Sequence, residues 1–247
     1  MCEPQLLRDY SRKETAPDKP DILKGEIRLQ TQKLWFEDLE TDENRALPWT
    51  LQRDSAALLL VDLENELLEE GAIMEVPDGR RIIPTVKRLL EACRGLGVPV
   101  IYTRMVHQSA RVAPRIYELF PYLEGKAYVP GSKGVEIYPE VRPAPEEPVV
   151  DKTQYSAFFG TNLEDVIRSI KADKGAIDTL IFAGVVSHVC VDCTLRDAFY
   201  RGYRVVLVED GCAGWDSAMH EATVFGVRTL YGRVSSCEGV LQDLRST

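Results

Sequence analysis

Short apolar runs alternate with segments of helical character from residue 55 onward. A run of four to eight apolar residues bounded by turn residues is typical of a strand buried on both faces. The predicted strands are 56–61, 98–103, 148–152, 180–183, 203–208 and 227–231. The predicted helices are 82–93, 161–170, 189–200, 217–225 and 237–244. Strands that alternate with helices predict an α/β fold: three α/β/α layers around a mainly parallel sheet of roughly six strands.

Two segments do not follow this alternation. Residues 1–54 are polar and interrupted by Pro17, Pro20 and Pro48, so we predict an N-terminal extension followed by a single domain over 55–247. Residues 105–147 form a long stretch rich in proline and glycine inside that domain. A connection of this length is usually functional, and we expect it to be a lid or a pocket wall.

Charge and cysteine content narrow the function classes. The net charge of −9 disfavours nucleic acid and anionic membrane as partners. No apolar stretch is long enough to span a bilayer, and the N-terminus lacks the apolar core of a signal peptide. The 6 cysteines are scattered, which does not resemble a secreted disulfide framework. These features predict a cytoplasmic protein with free thiols.

Three reactive residues fall at one edge of the predicted sheet. Asp62 ends the first strand, Lys152 ends the third, and Cys190 follows the fourth. Ligands of parallel α/β sheets bind beyond the carboxyl ends of the strands, so these side chains should meet. Cys190 lies where a strand turns into a helix, and we expect the helix dipole to lower its pKa. Asp62 could then take its proton, while Lys152 stabilises the charges.

Each residue also has a structural interpretation. Cys190 could be a buried structural thiol, Asp62 a helix cap and Lys152 a solvated surface charge. Cys190 and Cys193 match a C-x-x-C redox motif. Another alternative is a zinc site made of Cys190, Cys193, Cys212 and His220. A binding protein without catalysis is a further possibility.

Segments 59–65, 151–161, 183–199 and 231–236 carry a resemblance to a known family. They are similar to the isochorismatase-like cysteine hydrolases, most closely to the N-carbamoylsarcosine amidase, biuret amidohydrolase and ureidoacrylate amidohydrolase branch. The resemblance spans roughly residue 55 to the C-terminus, and the three spaced motifs at 59–65, 151–161 and 183–199 make it specific. It implies an enzyme that hydrolyses a small linear amide, such as an N-carbamoyl or ureido compound, through a thioester-type intermediate with release of ammonia.

The resemblance also implies the roles of individual residues. It implies a catalytic triad of Asp62, Lys152 and Cys190, a cis peptide bond before Val186, and an oxyanion hole made of the Val186 and Cys190 backbone N–H groups. It further implies a homodimer or homotetramer. We expect no cofactor and no metal.

Nicotinamidases are the alternative within the superfamily. They bind a metal through an aspartate and histidines in the first half of the chain, where this sequence has only His107. Isochorismatases proper lack the nucleophilic cysteine, which this chain has. A branch acting on linear ureido or carbamoyl amides remains, and a nicotinamidase-like aromatic amidase stays open as the second reading.

Residues near the predicted site depart from the family pattern. Glu64 stands where glutamine is usual, and Val186, Ser187 and His188 stand where alanine, threonine and asparagine are common. Substrate specificity is therefore the open question. The candidate substrate-binding residues are Glu64, Asn65, Arg104, Tyr155, Phe158, His188 and Trp215. Arg104 could bind a polar or anionic substrate end, while core packing is the alternative for Phe158.

Overall fold

The computed structural model describes residues 47–170 and 175–247. Within these ranges six parallel strands form one sheet in the order β3-β2-β1-β4-β5-β6. The strands are β1 Ala56–Val61, β2 Val100–Met105, β3 Val149–Lys152, β4 Thr179–Val185, β5 Arg204–Ala213 and β6 Arg233–Ser235. The predicted α/β fold is confirmed. Connections that cross between parallel strands place the helices on the two faces of the sheet.

Six α-helices of the described residues occupy the connections between the strands, and a seventh follows the last strand. They are α1 Asn65–Leu68, α2 Gly79–Gly95, α3 Pro114–Leu119, α4 Leu163–Ser169, α5 Asp192–Tyr200, α6 Ser217–Gly226 and α7 Cys237–Ser246. π-helical segments Ser187–Val191 and Val227–Tyr231 precede α5 and follow α6. The 3₁₀ segments are Arg53–Ser55, Ala110–Val112, Pro121–Leu123, Lys133–Val135 and Pro139–Val141. No helix in these ranges is long and apolar enough to cross a membrane.

The core has two halves, one on each face of the sheet. Successive side chains of β1 point to opposite faces, so Leu58 and Leu60 belong to one cluster and Leu59 to the other. Helices α2 and α7 cover the first face together with Ile137 and Val141, and α4, α5 and residues 113–135 cover the second. This arrangement gives the three layers expected from the sequence.

The N-terminal boundary was predicted at residue 55. Most of the predicted extension lies outside the described residues, because the description begins at residue 47. Leu51 is buried in the core, so packed structure starts before residue 55. The division into an extension and a domain remains a prediction.

The sixth strand was predicted at 227–231, which is too early in the chain. Residues Val227–Tyr231 are π-helical, and the strand that joins the sheet is Arg233–Ser235. Val227 is buried together with Thr223 and Val224, a spacing of three and four residues that continues the apolar face of α6. The β-favouring composition of 227–231 concealed this helical period.

Gly184 was expected to end β4, but the strand continues to Val185. The φ angle of Gly184 is 131°, and a Cβ there would lie 2.1 Å from the Val61 carbonyl oxygen. Only glycine permits this close approach of β4 to β1. The effect of Gly184 is therefore to bring the ends of the two central strands together, beside Asp62.

The 105–147 segment is fixed to the domain by backbone hydrogen bonds. The Asn65 N–H donates to the Glu136 carbonyl at 2.9 Å, and the Tyr138 N–H donates to the Leu63 carbonyl at 2.8 Å. Glu64 and Ile137 form an antiparallel bridge between these two bonds. The segment therefore stands as a wall next to the end of β1, one of the two roles that its length predicted.

Candidate active site

Asp62 lies at the end of β1, and the strand's exit orients its carboxylate. Its φ angle of 51° is in the left-handed region, which non-glycine residues rarely adopt. The side chain is fully buried. Its Oδ1 accepts a hydrogen bond from Thr103 Oγ1 at 2.7 Å, and its Oδ2 lies 2.8 Å from Lys152 Nζ. Both oxygens are thus held in one orientation.

Lys152 ends β3 and connects the carboxylate to the sulfur. Its Nζ lies 3.3 Å from Cys190 Sγ and donates to the Gln154 carbonyl at 3.0 Å. The side chain is buried along its whole length. A buried ammonium is tolerated only where it is paired, and here Asp62 provides the opposite charge. Asp62, Lys152 and Cys190 therefore form one contiguous cluster, as the strand ends predicted.

Cys190 is positioned by a short π-helical segment that follows β4. The peptide bond between Val185 and Val186 is cis, as the resemblance implied. The Val186 carbonyl then accepts hydrogen bonds from the Val189 and Val191 N–H groups at 3.0 and 3.2 Å. These contacts turn the chain tightly and set Cys190 at the sheet edge, next to Val186.

The protonation state of Cys190 differs from the expectation. Burial raises the pKa of the Cys190 thiol well above its usual value, and Asp62 adds to this increase while Lys152 opposes it. The prediction that a helix dipole lowers this pKa is wrong. The sulfur is fully buried, and its loss of hydration raises the pKa more than the short helical turn could lower it. The resting cysteine is thus a neutral thiol, kept protonated by burial and by the negative charge of Asp62.

Glu64 is a second buried carboxyl group close to this cluster. It accepts a hydrogen bond from the Met105 N–H at 3.1 Å. Burial raises the pKa of Glu64 well above its usual range, and the negative charge of Asp62 raises it further. A neutral Glu64 has the shape and the hydrogen-bonding capacity of the glutamine common in the family. It therefore adds no second negative charge beside Asp62.

A cavity of about 590 Å³ opens onto the sulfur. Its most deeply buried lining residues include Asp62, Val186 and Cys190. Its further walls are mostly apolar or aromatic: Leu67, Ile73, Met74, Met105, Ile116, Phe120, Tyr122, Leu123, Tyr128, Tyr155, Val189 and Trp215. Its volume falls within the range of small-molecule sites. The cluster therefore lies at the base of a pocket that can hold a substrate.

Comparison with known proteins agrees with this geometry. The family model described as the isochorismatase domain matches residues 56–238. The chain belongs to the isochorismatase family. The matched range contains the six strands described above and all three members of the buried cluster.

Several proteins that are similar to this member of the isochorismatase family are named as amidohydrolases or amidases. The ureidoacrylate amidohydrolase RutB of Rhizobium rhizogenes is 30% identical over 213 residues, which cover 78% of this chain and 84% of that protein. A solved cysteine hydrolase from Pseudomonas syringae superposes with a TM-score of 0.75 at 25% identity, covering 80% of this chain and 96% of that one. The N-carbamoylsarcosine amidase of Thermoplasma acidophilum has a TM-score of 0.62 at 29% identity, covering 74% and 97%.

Three predicted substrate-binding residues line the cavity of this family member. Tyr155, His188 and Trp215 are among its walls. The His188 and Trp215 rings meet edge to face at 5.9 Å between centroids. The Trp215 indole N–H donates to the Glu75 carbonyl at 3.0 Å, which fixes the ring. Burial lowers the pKa of His188, so its ring is neutral near pH 7.

The other predicted substrate-binding residues lie outside the cavity walls. Glu64 is buried beside the triad, as described above. Asn65 donates through Nδ2 to the Lys133 carbonyl at 2.8 Å. Arg104 forms an ion pair with Asp151.

Phe158 also lies outside the cavity. Its ring stacks against Tyr203 at 6.2 Å between centroids, and the Arg201 guanidinium lies 4.6 Å from the ring centroid. The core-packing alternative describes Phe158 correctly. Its position in a sequence motif did not predict the direction of its side chain.

The geometry of the described residues does not support the alternative of a zinc site. Across residues 47–170 and 175–247, no group of three or more histidine, cysteine, aspartate and glutamate side chains could hold a metal ion. The predicted zinc set of Cys190, Cys193, Cys212 and His220 is therefore not assembled. The described cysteines, Cys93, Cys190, Cys193, Cys212 and Cys237, all carry free thiols.

Proposed function

We propose that this protein is a cysteine-dependent amidohydrolase, a hydrolase of carbon–nitrogen bonds other than peptide bonds. It cleaves a small linear amide, an N-carbamoyl or ureido compound, and releases ammonia. The observation that carries the proposal is the buried cluster of Asp62, Lys152 and Cys190 at the base of the cavity. Similarity to a ureidoacrylate amidohydrolase and to an N-carbamoylsarcosine amidase supports the substrate class.

The first half of the reaction forms a bond to sulfur. The Asp62 carboxylate takes the Cys190 proton as the sulfur attacks the substrate carbonyl carbon, and the carbonyl π electrons move to oxygen. Lys152, 3.3 Å from the sulfur, stabilises the negative charge that develops there. The C–N bond then breaks, and the leaving nitrogen takes the proton from Asp62 and departs as ammonia.

The second half releases the product. The intermediate is an S-carbamoyl cysteine for a ureido substrate and a thioester for a simple amide. Asp62 removes a proton from water, the resulting hydroxide attacks the carbonyl carbon, and the C–S bond breaks. Cys190 regains its proton, and a carbamic or carboxylic acid leaves. Water adds and ammonia is released, so atoms and charge balance.

The oxyanion of each tetrahedral intermediate needs hydrogen-bond donors. We assign this role to the backbone N–H groups of Val186 and Cys190, two of the buried residues that line the cavity. The π-helical turn Ser187–Val191, closed by hydrogen bonds to the Val186 carbonyl, brings these two residues together. Removing one such donor typically costs about 10²–10³ in kcat, so their placement matters to the rate.

A substrate panel tests the proposed function. Primary amides, N-carbamoyl compounds, biuret and nicotinamide are incubated with the full chain, and ammonia release is measured. We expect kcat/KM for the best ureido compound to exceed that for nicotinamide by about a hundredfold or more. The rate should be the same in EDTA, since protein groups perform every step. A preference for nicotinamide would replace the proposal with the aromatic amidase alternative.

We also propose that the protein works in the cytoplasm as a homodimer or homotetramer. The free thiols of the described cysteines suit a reducing compartment. An exposed apolar patch supports self-association, with Tyr200 70% and Leu230 57% exposed. The Tyr231 ring, next to Leu230 in sequence, meets Phe199 and Tyr200 edge to face at 5.3 and 6.4 Å between centroids. Monomeric proteins rarely leave such a cluster uncovered.

Charge placed in this patch should dissociate the oligomer. In the Tyr200→Asp and Leu230→Asp double variant, we expect light scattering to report the mass of a single chain, because two carboxylates would be buried without partners. Leu119→Asp is the matched control, since Leu119 is 71% exposed on a different helix. An unchanged mass in the double variant would exclude this patch as the subunit interface.

A further inference from the structure

The cavity walls contain no counter-charge for an anionic substrate. Among the described residues that line the cavity there is no lysine and no arginine. The charged residues at its walls are acidic: Asp62, which belongs to the catalytic cluster, and Glu75. Hydrogen bonds from the Gly71 N–H and from Arg80 lower the pKa of Glu75, which keeps it negative. Both of these carboxylates are already paired with cations, so a carboxylate bound here would find no free positive charge among the described cavity walls.

The nearby cations have other partners. Lys152 contacts Asp62 and Cys190, and the proposed mechanism already uses its positive charge there. Arg104 pairs with Asp151 outside the cavity. Arg80 pairs with Glu75 at 2.7 Å and donates to the Leu68 carbonyl at 2.7 Å. The neutral ring of His188 supplies no positive charge either.

The apolar walls are instead suited to an uncharged group. The 105–147 segment contributes Ile116, Phe120 and Leu123, and the loop before α2 contributes Ile73 and Met74. A primary amide group fills only a small part of about 590 Å³. The remaining space would stabilise an apolar substituent by excluding water from it. A carboxylate in the same space would lose its hydration without compensation.

We propose that the substrate carries an uncharged, apolar substituent on its ureido or amide nitrogen or carbonyl group, such as an alkyl or aryl chain, in place of a carboxylate. This inference rests on the proposed function for the reacting end and specifies the other end. If it holds, the substrate is not a ureido compound that carries an acrylate group. The substituent extends from the sulfur toward Ile116, Phe120 and Trp215.

Binding to the full-length Cys190→Ser variant tests the substrate class without turnover. Calorimetry compares N-alkylureas from ethyl to hexyl with ureido acids of matched length. We expect Kd to fall about three- to fourfold for each added methylene. The ureido acid should bind at least about tenfold more weakly than the alkylurea of equal length. Equal or tighter binding of the acids, or a series without dependence on chain length, would overturn the inference.

Turnover by the unmodified protein separates this inference from the proposed function. If the alkylureas bind as expected but release no ammonia, the amidohydrolase proposal fails while the preference for apolar ligands stands. If a ureido acid is both the tighter ligand and the better substrate, the amidohydrolase proposal stands and the inference fails. The two results therefore cannot be confused.

One substitution should reverse the preference. Ile73 lines the cavity and is 40% exposed, so an arginine there can reach both solvent and the cavity. We expect Ile73→Arg to weaken hexylurea binding by about threefold to tenfold and to strengthen binding of the matched ureido acid by a similar factor. Leu119→Arg adds the same charge outside the cavity walls and should change neither Kd. Identical behaviour of the two variants would contradict the inference.

Discussion

Replacement of Cys190 by alanine is expected to lower kcat for ammonia release by about 10⁴-fold or more while leaving the fold intact. The sulfur is the proposed attacking atom, and the nearby amine of Lys152 is committed to Asp62 and to the Gln154 carbonyl. The loss should appear in kcat, since the cavity walls remain. Ammonia release and thermal unfolding measure the two effects separately.

Cys212→Ala is the matched control for this variant. Cys212 is also a buried cysteine of the same sheet, with its sulfur 3.9 Å from the Phe182 carbonyl, and it lies outside the cavity walls. Burial raises the pKa of Cys212 to about 12, so its thiol is inert near pH 7. We expect full activity from this control. Substantial ammonia release by Cys190→Ala would refute the proposed mechanism.

The buried cluster of Asp62, Lys152 and Cys190 could be predicted because it depends on topology. Asp62, Lys152 and Cys190 each end or follow a strand, and parallel strands bring their carboxyl ends to one edge. The order of the strands need not be known for this argument. The same reasoning found the fold, because apolar runs and helical spacing report burial directly.

The environment of the sulfur could not be predicted in the same way. Sequence placed Cys190 at a helix start, and a dipole argument gave a lowered pKa. In the structure the sulfur is fully buried, and burial decides the direction of the pKa shift. Desolvation depends on everything that packs around a group, including the 105–147 wall, and no local pattern records it.

The orientation of the Arg104 side chain is a second feature that the sequence did not predict. Side chains of β2 alternate between faces, so Thr103 contacts Asp62 and Arg104 points the other way. Arg104 is opposite Asp151 in the parallel register, and the two form an ion pair. The predicted strand 98–103 ended before Arg104, so the alternation of faces was not extended to this residue. The cavity residues of the 105–147 wall were missed for a related reason, since their segment lacks a regular period.

Replacement of Lys152 by methionine is expected to cost both stability and activity. The substitution keeps the length of the side chain but leaves the Asp62 carboxylate buried without its partner cation. Breaking a buried ion pair in this way typically lowers the free energy of unfolding by about 3–5 kcal/mol. The Thr103 hydrogen bond remains and offsets only part of this loss. Urea unfolding measures the stability, and ammonia release should fall by about 10³-fold or more.

A second variant distinguishes the effect of the unpaired Asp62 charge on stability from the effect of the substitution on activity. Adding Asp62→Asn to Lys152→Met removes the uncompensated carboxylate while keeping its shape, so most of the lost stability should return. Activity should not return, because neither the base nor the cation is present. If the single Lys152 variant unfolds within about 1 kcal/mol of the unmodified protein, the ammonium is not the partner that holds Asp62 in place. If the double variant regains activity, the sulfur is activated by other groups, and the proposed roles of Asp62 and Lys152 are wrong.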